Sequence, residues 1–208
     1  MNGHLPSRSA LRASVIVLHG WSSRGAANLH DAEAFRGAHT EVVLPDAPGH
    51  GRRDDGRLAR IAALPDAERM DAIVGIAREQ AAELPALAAR CRERGAARVG
   101  LVGISMGGFA ALGALATPCP FDAVAAVLAA PTLVDPAAVT PGRPPLLLGL
   151  AGRDTAVPPE PGRRFAREYG AELWEYPESE HFLRGEDWRD LWSRVAGFLR
   201  RHLGDEGA

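Results

Sequence analysis

Ser105 stands between two glycines in Gly103-Ile104-Ser105-Met106-Gly107, where an apolar run, residues 98–104, gives way to a small-residue segment beginning at Met106. A serine on a tight strand-to-helix turn has its hydroxyl held clear of the sheet, and the glycines let neighbouring backbone approach where a Cβ would collide. The chemistry such a serine offers is nucleophilic attack. Its hydroxyl is weakly nucleophilic near neutral pH, so it needs a base within hydrogen-bond reach and a third group that fixes the base's tautomer. The amide of Met106, at a helix N-terminus, would point to the space above Ser105, where a negative oxygen is stabilised. Taken alone, the pentapeptide equally fits a glycine-rich turn whose serine merely caps a helix.

An acid and a base follow in matching settings. The apolar run 146–151 leads into Gly152-Arg153-Asp154, which delivers a carboxylate just past a strand, and a further short strand, residues 172–176, precedes Ser179-Glu180-His181-Phe182. Nucleophile, acid and histidine thus arrive in the order Ser105, Asp154, His181, each in a loop after an expected strand. Asp135, after the preceding apolar run, is an alternative acid. Of the seven histidines, His19 and His50 sit in turns where bonding to backbone is the simpler role. His4, His30, His39 and His202 have no motif around them, which leaves His181 as the expected base.

Upstream lie Val15-Ile16-Val17-Leu18-His19-Gly20-Trp21 and the turn Asp46-Ala47-Pro48-Gly49-His50-Gly51, and Asp154-Thr155-Ala156-Val157-Pro158 completes the set. With these, the chain from Val15 to Leu203 resembles the α/β-hydrolase superfamily, most of all the small cap-poor bacterial serine carboxylesterases whose second strand ends in a Pro-Asp-Ala-Pro-x-His-Gly turn, here Pro45 to Gly51. The resemblance implies an α/β fold: a mostly parallel sheet of about six strands, helices on both faces and no large cap domain. It implies Trp21 as a second oxyanion donor beside Met106, and substrate-binding walls near Trp21, Phe109 and Phe182. It also implies a small or medium acyl ester as substrate, an acyl-enzyme intermediate, and neither metal nor organic cofactor. Arg52 and Arg53 depart from the family, in which a serine is common after that turn. The same triad would serve thioester hydrolysis, peptide cleavage or perhydrolysis. A catalytically silent hydrolase-fold protein that binds a small molecule or a partner is the alternative of a different class.

The elements that must position these groups read as continuous apolar runs, the pattern of a parallel sheet covered on both faces. Strands are expected over residues 15–18, 42–44, 99–104, 124–130, 146–151 and 173–176, and helices near 26–35, 66–94, 106–116, 159–169 and 187–202. In the last helix Trp188, Leu191, Trp192, Val195, Phe198 and Leu199 recur at three- and four-residue spacing, a stripe expected to be all core with no ligand role. The long helix carries Met70, Ile73, Val74, Ala77, Ala81, Leu84, Ala88 and Cys91 on one face, with Pro85 expected to kink or divide it. Residues 51–64, with Arg52, Arg53, Arg57 and Arg60 near Asp54 and Asp55, read as a charged surface loop. Residues 130–145 hold Pro131, Pro136, Pro141, Pro144 and Pro145, too short and proline-rich a segment for a helical cap.

Composition fits one domain over residues 1–208, a length that buries about 70% of the unfolded surface without staples. A net charge of −2 gives no broad positive field for nucleic acid or an anionic membrane, and the family resemblance implies a small-molecule ester as the partner. Cys91 and Cys119 have neither zinc-ligand spacing nor a neighbouring partner. The start of the chain shows no apolar stretch of signal-peptide length and residues 15–18 are far too few to span a bilayer, so the expected location is cytoplasmic. Nothing in the sequence sets the oligomeric state.

Overall fold

The computed structural model describes residues 11–37, 39–116, 118–135 and 143–204. Six strands, β1 (Ala13–Leu18), β2 (Thr40–Val43), β3 (Arg98–Ile104), β4 (Ala123–Val127), β5 (Leu146–Ala151) and β6 (Glu172–Tyr176), form one sheet in the order β2-β1-β3-β4-β5-β6. Every neighbouring pair is parallel. Parallel neighbours need crossovers, which the helices supply. These are α1 (Leu29–Ala32), α2 (Arg57–Ala62), α3 (Asp66–Glu93), α4 (Met106–Gly113), α5 (Pro159–Tyr169) and α6 (Gly185–Leu203).

The period-two pleat sorts the strand residues between two core layers. Ile16 and Leu18 of β1, with Leu101 and Leu148, pack against Leu84 of α3, Phe109 of α4 and Phe165 of α5. Val15 and Val17, with Val102 and Leu147, pack on the other face against Leu191, Val195 and Phe198 of α6. Each fully buried Leu, Val or Phe contributes roughly 1.5–3 kcal/mol, and the doubly covered sheet is what makes the central strands apolar throughout.

Several boundaries differ from the sequence-based expectation for identifiable reasons. β4 stops at Val127 instead of residue 130, because Leu128 takes a positive φ of 55° and leaves the extended region. The expected helix over 26–35 is one α turn between two 3-10 turns, Gly25–Asn28 and Glu33–Phe35. α3 runs unbroken through Pro85. Residues 51–64, expected to be a loop, hold a 3-10 turn, Gly51–Arg53, and then α2. Here the carboxylates of Asp54 and Asp55 accept hydrogen bonds from the amides of Gly56 (2.9 Å) and Arg57 (3.0 Å), side-chain turns that start α2. Two of the four arginines of this segment are tethered to α3: Arg53 bonds both oxygens of Glu83 at 2.8 and 2.7 Å, and Arg57 meets Glu79 at 2.8 Å.

Among the described residues no large cap interrupts the sheet and its helices; residues 136–142, within the segment read as too proline-rich for a cap, lie outside them. Among the described residues no helix is long and apolar enough to cross a membrane.

Candidate active site

The β3-to-α4 turn is closed by backbone packed on backbone. A Cβ added to Gly103 would sit 2.2 Å from the carbonyl oxygen of Gly107, and one on Gly107 would sit 2.5 Å from that of Leu18. Ser105 between them has φ 52° and ψ −114°, a conformation that costs an L residue on the order of 1–3 kcal/mol and persists only where its surroundings impose it. They do: its amide donates to Val127 O of β4 at 2.9 Å, and its carbonyl accepts from Phe109 N at 3.0 Å. Among the described residues the non-glycine positive-φ positions are Ser22, Ser105 and Leu128, and all three line a single cavity of about 740 Å³.

Two loops on the same edge of the sheet bring the acid and the histidine to this serine. After β5, the amide of Gly152 donates to Tyr176 O (2.8 Å) and that of Arg153 to Ser179 O (2.9 Å), which ties the acid loop to the histidine loop following β6. Asp154, 5% exposed, accepts through Oδ1 from the amides of Ala156 (2.9 Å) and Val157 (2.8 Å), which leaves Oδ2 for the imidazole. His181 Nδ1 lies 2.7 Å from that oxygen, and His181 Nε2 lies 2.9 Å from Ser105 Oγ. An ionised carboxylate only accepts, so Nδ1 carries the proton and Nε2 is free to accept from the serine hydroxyl. The alternative acid, Asp135, lines a separate recess with Gly113 and Leu133.

The β1 exit lies against the serine from the other side: a Cβ built on Gly20 would be 3.5 Å from Ser105 Cβ. His19 shapes this turn. The Ala47 amide donates to its Nε2 at 3.0 Å, so Nδ1 holds the hydrogen and donates to Gly20 O at 2.8 Å. Burial holds the His19 pKa below its ordinary value, consistent with the neutral tautomer. Gly20 O also accepts from Ser23 N at 3.3 Å. In a planar trans peptide, fixing the Gly20 carbonyl directs the Trp21 N–H the opposite way. His50, also buried, donates from Nδ1 to Pro48 O at 3.0 Å, and the edge of the Trp21 ring system meets it at 5.3 Å. At the other turn, the Met106 amide opens α4 and has no acceptor within the helix.

Of the expected walls, Trp21 and the buried Phe109 line the cavity, whereas Phe182 sits on its rim, 91% exposed beside His181. One expectation is corrected. Trp188, read as core only, also lines the cavity, with its Nε1 donating to Asp31 Oδ1 at 3.2 Å. Met70 and Ile73 of α3 serve both core and cavity in the same way, and Leu128 and Asn28 were missed altogether. The available signal for Trp188 was its place at the first turn of α6, the end of the apolar stripe nearest the histidine loop. No group of three or more His, Cys, Asp or Glu among the described residues is arranged to hold a metal.

A parallel sheet with a strained serine at the β3 turn, an acid after β5 and a histidine after β6 defines a class. The chain belongs to the alpha/beta hydrolase family, whose model matches residues 15–206. Among solved structures it is similar to esterase PE8, at 25% identity over 95% of this chain and 96% of that one, with a TM-score of 0.69. It also resembles the Pyrococcus furiosus esterase Pf2001, at 19% identity over 93% and 85% of the two chains, TM-score 0.70. A third is a predicted CIB-like hydrolase from Thermoplasma acidophilum, at 23% identity over 95% and 89%, TM-score 0.67. The last two likenesses bear on the fold alone. No curated protein matches the chain.

Proposed function

We propose that the protein is a serine hydrolase, specifically a carboxylesterase that cleaves small or medium acyl esters with the triad Ser105, Asp154 and His181. The observation that carries this reading is the continuous hydrogen-bond chain from Ser105 Oγ through His181 to Asp154, at 2.9 and 2.7 Å, on the wall of a cavity of ligand size. His181 Nε2 takes the serine proton as Oγ attacks the acyl carbonyl, and Asp154 stabilises the imidazolium that forms. The amides of Met106 and Trp21 receive the oxyanion. The imidazolium then gives its proton to the departing alcohol, and a water activated by the same histidine releases the acid.

Trp21 and Phe109 flank the substrate within the cavity and Phe182 contributes from the rim. The likeness to an esterase at 25% identity favours an ester over a thioester, peptide or peracid reaction on the same triad. The reading calls for no cofactor and for a cytoplasmic protein acting on a small molecule. A fluorophosphonate probe tests it: the protein is expected to be labelled at Ser105 and to turn over p-nitrophenyl esters faster than matching thioesters or amides. A folded protein that takes up no label would overturn the assignment in favour of a silent binding protein.

A further inference from the structure

A second recess, of about 620 Å³, shares Ser22 and Ser23 with the triad cavity, so the two chambers meet across that dipeptide. Their linings differ in balance. The triad chamber is walled mostly by large apolar side chains such as Met70, Ile73, Phe109 and Trp188, and its charged lining residues, Asp66 and Arg69, are paired with each other. The second is lined by Ser22, Ser23, Arg24 and Asp54 and by Gly49, Gly51 and Gly56, with Ala27, Leu58 and Ala59 supplying small apolar patches. Its polar groups are uncommitted. The side chains of Ser22, Ser23 and Arg24 take part in no hydrogen bond or ion pair among the described residues, unlike Arg53 and Arg57 nearby, which are tied to acids on α3. Asp54 uses Oδ1 for the Gly56 amide, and its Oδ2 takes part in no hydrogen bond among the described residues. Ser22 is also held at φ 56°, a conformation that serine does not adopt without constraint.

From this juxtaposition we infer that the recess is a subsite for a polyhydroxylated arm of the substrate, so that the natural ester joins an apolar acyl group to a glycerol- or sugar-like alcohol. The inference rests on the esterase reading above. The choice of arm follows from the hydrogen-bond inventory. Arg24 only donates and Asp54 only accepts, with opposite charges. A carboxylate or phosphate placed here would meet Arg24 but oppose Asp54, and an ammonium group would do the reverse. A hydroxyl both donates and accepts and carries no charge, so vicinal hydroxyls satisfy Arg24, Asp54 and the two serines together. A substrate lacking them leaves these groups unmatched, which is how a polar site discriminates.

The test uses the full chain and three hexanoates: p-nitrophenyl hexanoate, propyl hexanoate and glyceryl 1-monohexanoate. The glyceryl ester is expected to exceed the propyl ester in kcat/KM by on the order of tenfold, the equivalent of one or two net hydrogen bonds. In Arg24→Met and in Ser23→Ala that ratio should fall toward one, with the melting temperature confirming that each variant is folded. A wild-type ratio near one, or a ratio unmoved by both substitutions, overturns the subsite. Turnover of p-nitrophenyl hexanoate separates the two levels. If it is present without glyceryl preference, only the subsite fails; if it is absent, the esterase reading fails and takes the subsite with it.

Discussion

The two strand exits that meet at Ser105 are built on different principles. At the β3 exit the turn is sterically locked: extra methyl groups on Gly103 or Gly107 would strike backbone at 2.2 and 2.5 Å, and the serine is held at φ 52°. At the β1 exit a methyl on Gly20 would be in ordinary contact at 3.5 Å, and the turn is instead held by the two ring nitrogens of His19, on Ala47 N and Gly20 O. Steric locking is indifferent to pH and intolerant of added volume. A hydrogen-bonded hinge tolerates volume but depends on one protonation state. The proposed nucleophile sits on the first kind of turn and the proposed oxyanion donor Trp21 on the second, so the two halves of the site should fail under different stresses.

The largest expected effect is at the locked turn itself. Ser105→Ala should lower ester turnover by about 10⁶-fold without loss of the fold, since the catalytic unit fails without its nucleophile. Single-turnover kinetics on p-nitrophenyl butyrate would measure it, and a variant keeping a tenth of wild-type turnover would refute the assignment.

Asp154→Asn should cost roughly 10⁴-fold by favouring the wrong tautomer of His181, with Asp135→Asn nearly neutral. Reversed penalties would move the acid to the loop after β4. Gly103→Ala should destabilise the protein by about 3 kcal/mol or more, because the contact it would make is with backbone that cannot swing aside. Urea unfolding reads this directly, and a loss under 1 kcal/mol would show the elbow to be less rigid than its contacts imply.

The hinge at β1 should answer to acid instead. Burial lowers the folded-state pKa of His19, so the unfolded chain takes up the proton first as pH falls. The stabilising effect of the neutral ring is therefore complete above the ordinary histidine value of about 6.5 and declines as pH drops below it. His19→Asn should be destabilised relative to wild type at pH 7.5 by about 1–3 kcal/mol, with a smaller gap at pH 5. Equal gaps at both pH values would mean the ring acts by packing alone. The smallest effect is expected for Gly20→Ala, within about 0.5 kcal/mol of wild type in the same unfolding measurement. A penalty comparable to that of Gly103→Ala would erase the distinction between the two turns.

The sequence by itself determined the features that are local along the chain. The glycines of the elbow are spacings between near neighbours, and Ser105, Asp154 and His181 each stand just past an apolar run that the chain itself displays. The apolar runs of the six strands and the stripe of α6 are periodicities, and each was legible because a strand or helix repeats its own pattern. Only the tertiary structure decided what depends on segments distant in sequence meeting one another. The buried, positive-φ Leu128 ends β4 early because the chain must leave the sheet at the cavity wall, and no local signal marks it. Trp188 belongs at once to the α6 stripe and to the cavity, while Phe182, apolar and next to His181, is almost wholly exposed. The 2.9 and 2.7 Å contacts that join three loops are likewise a property of the sheet. Parallel strands release their C-terminal ends on one edge, and only that shared edge brings residues 76 and 27 positions apart within hydrogen-bond reach.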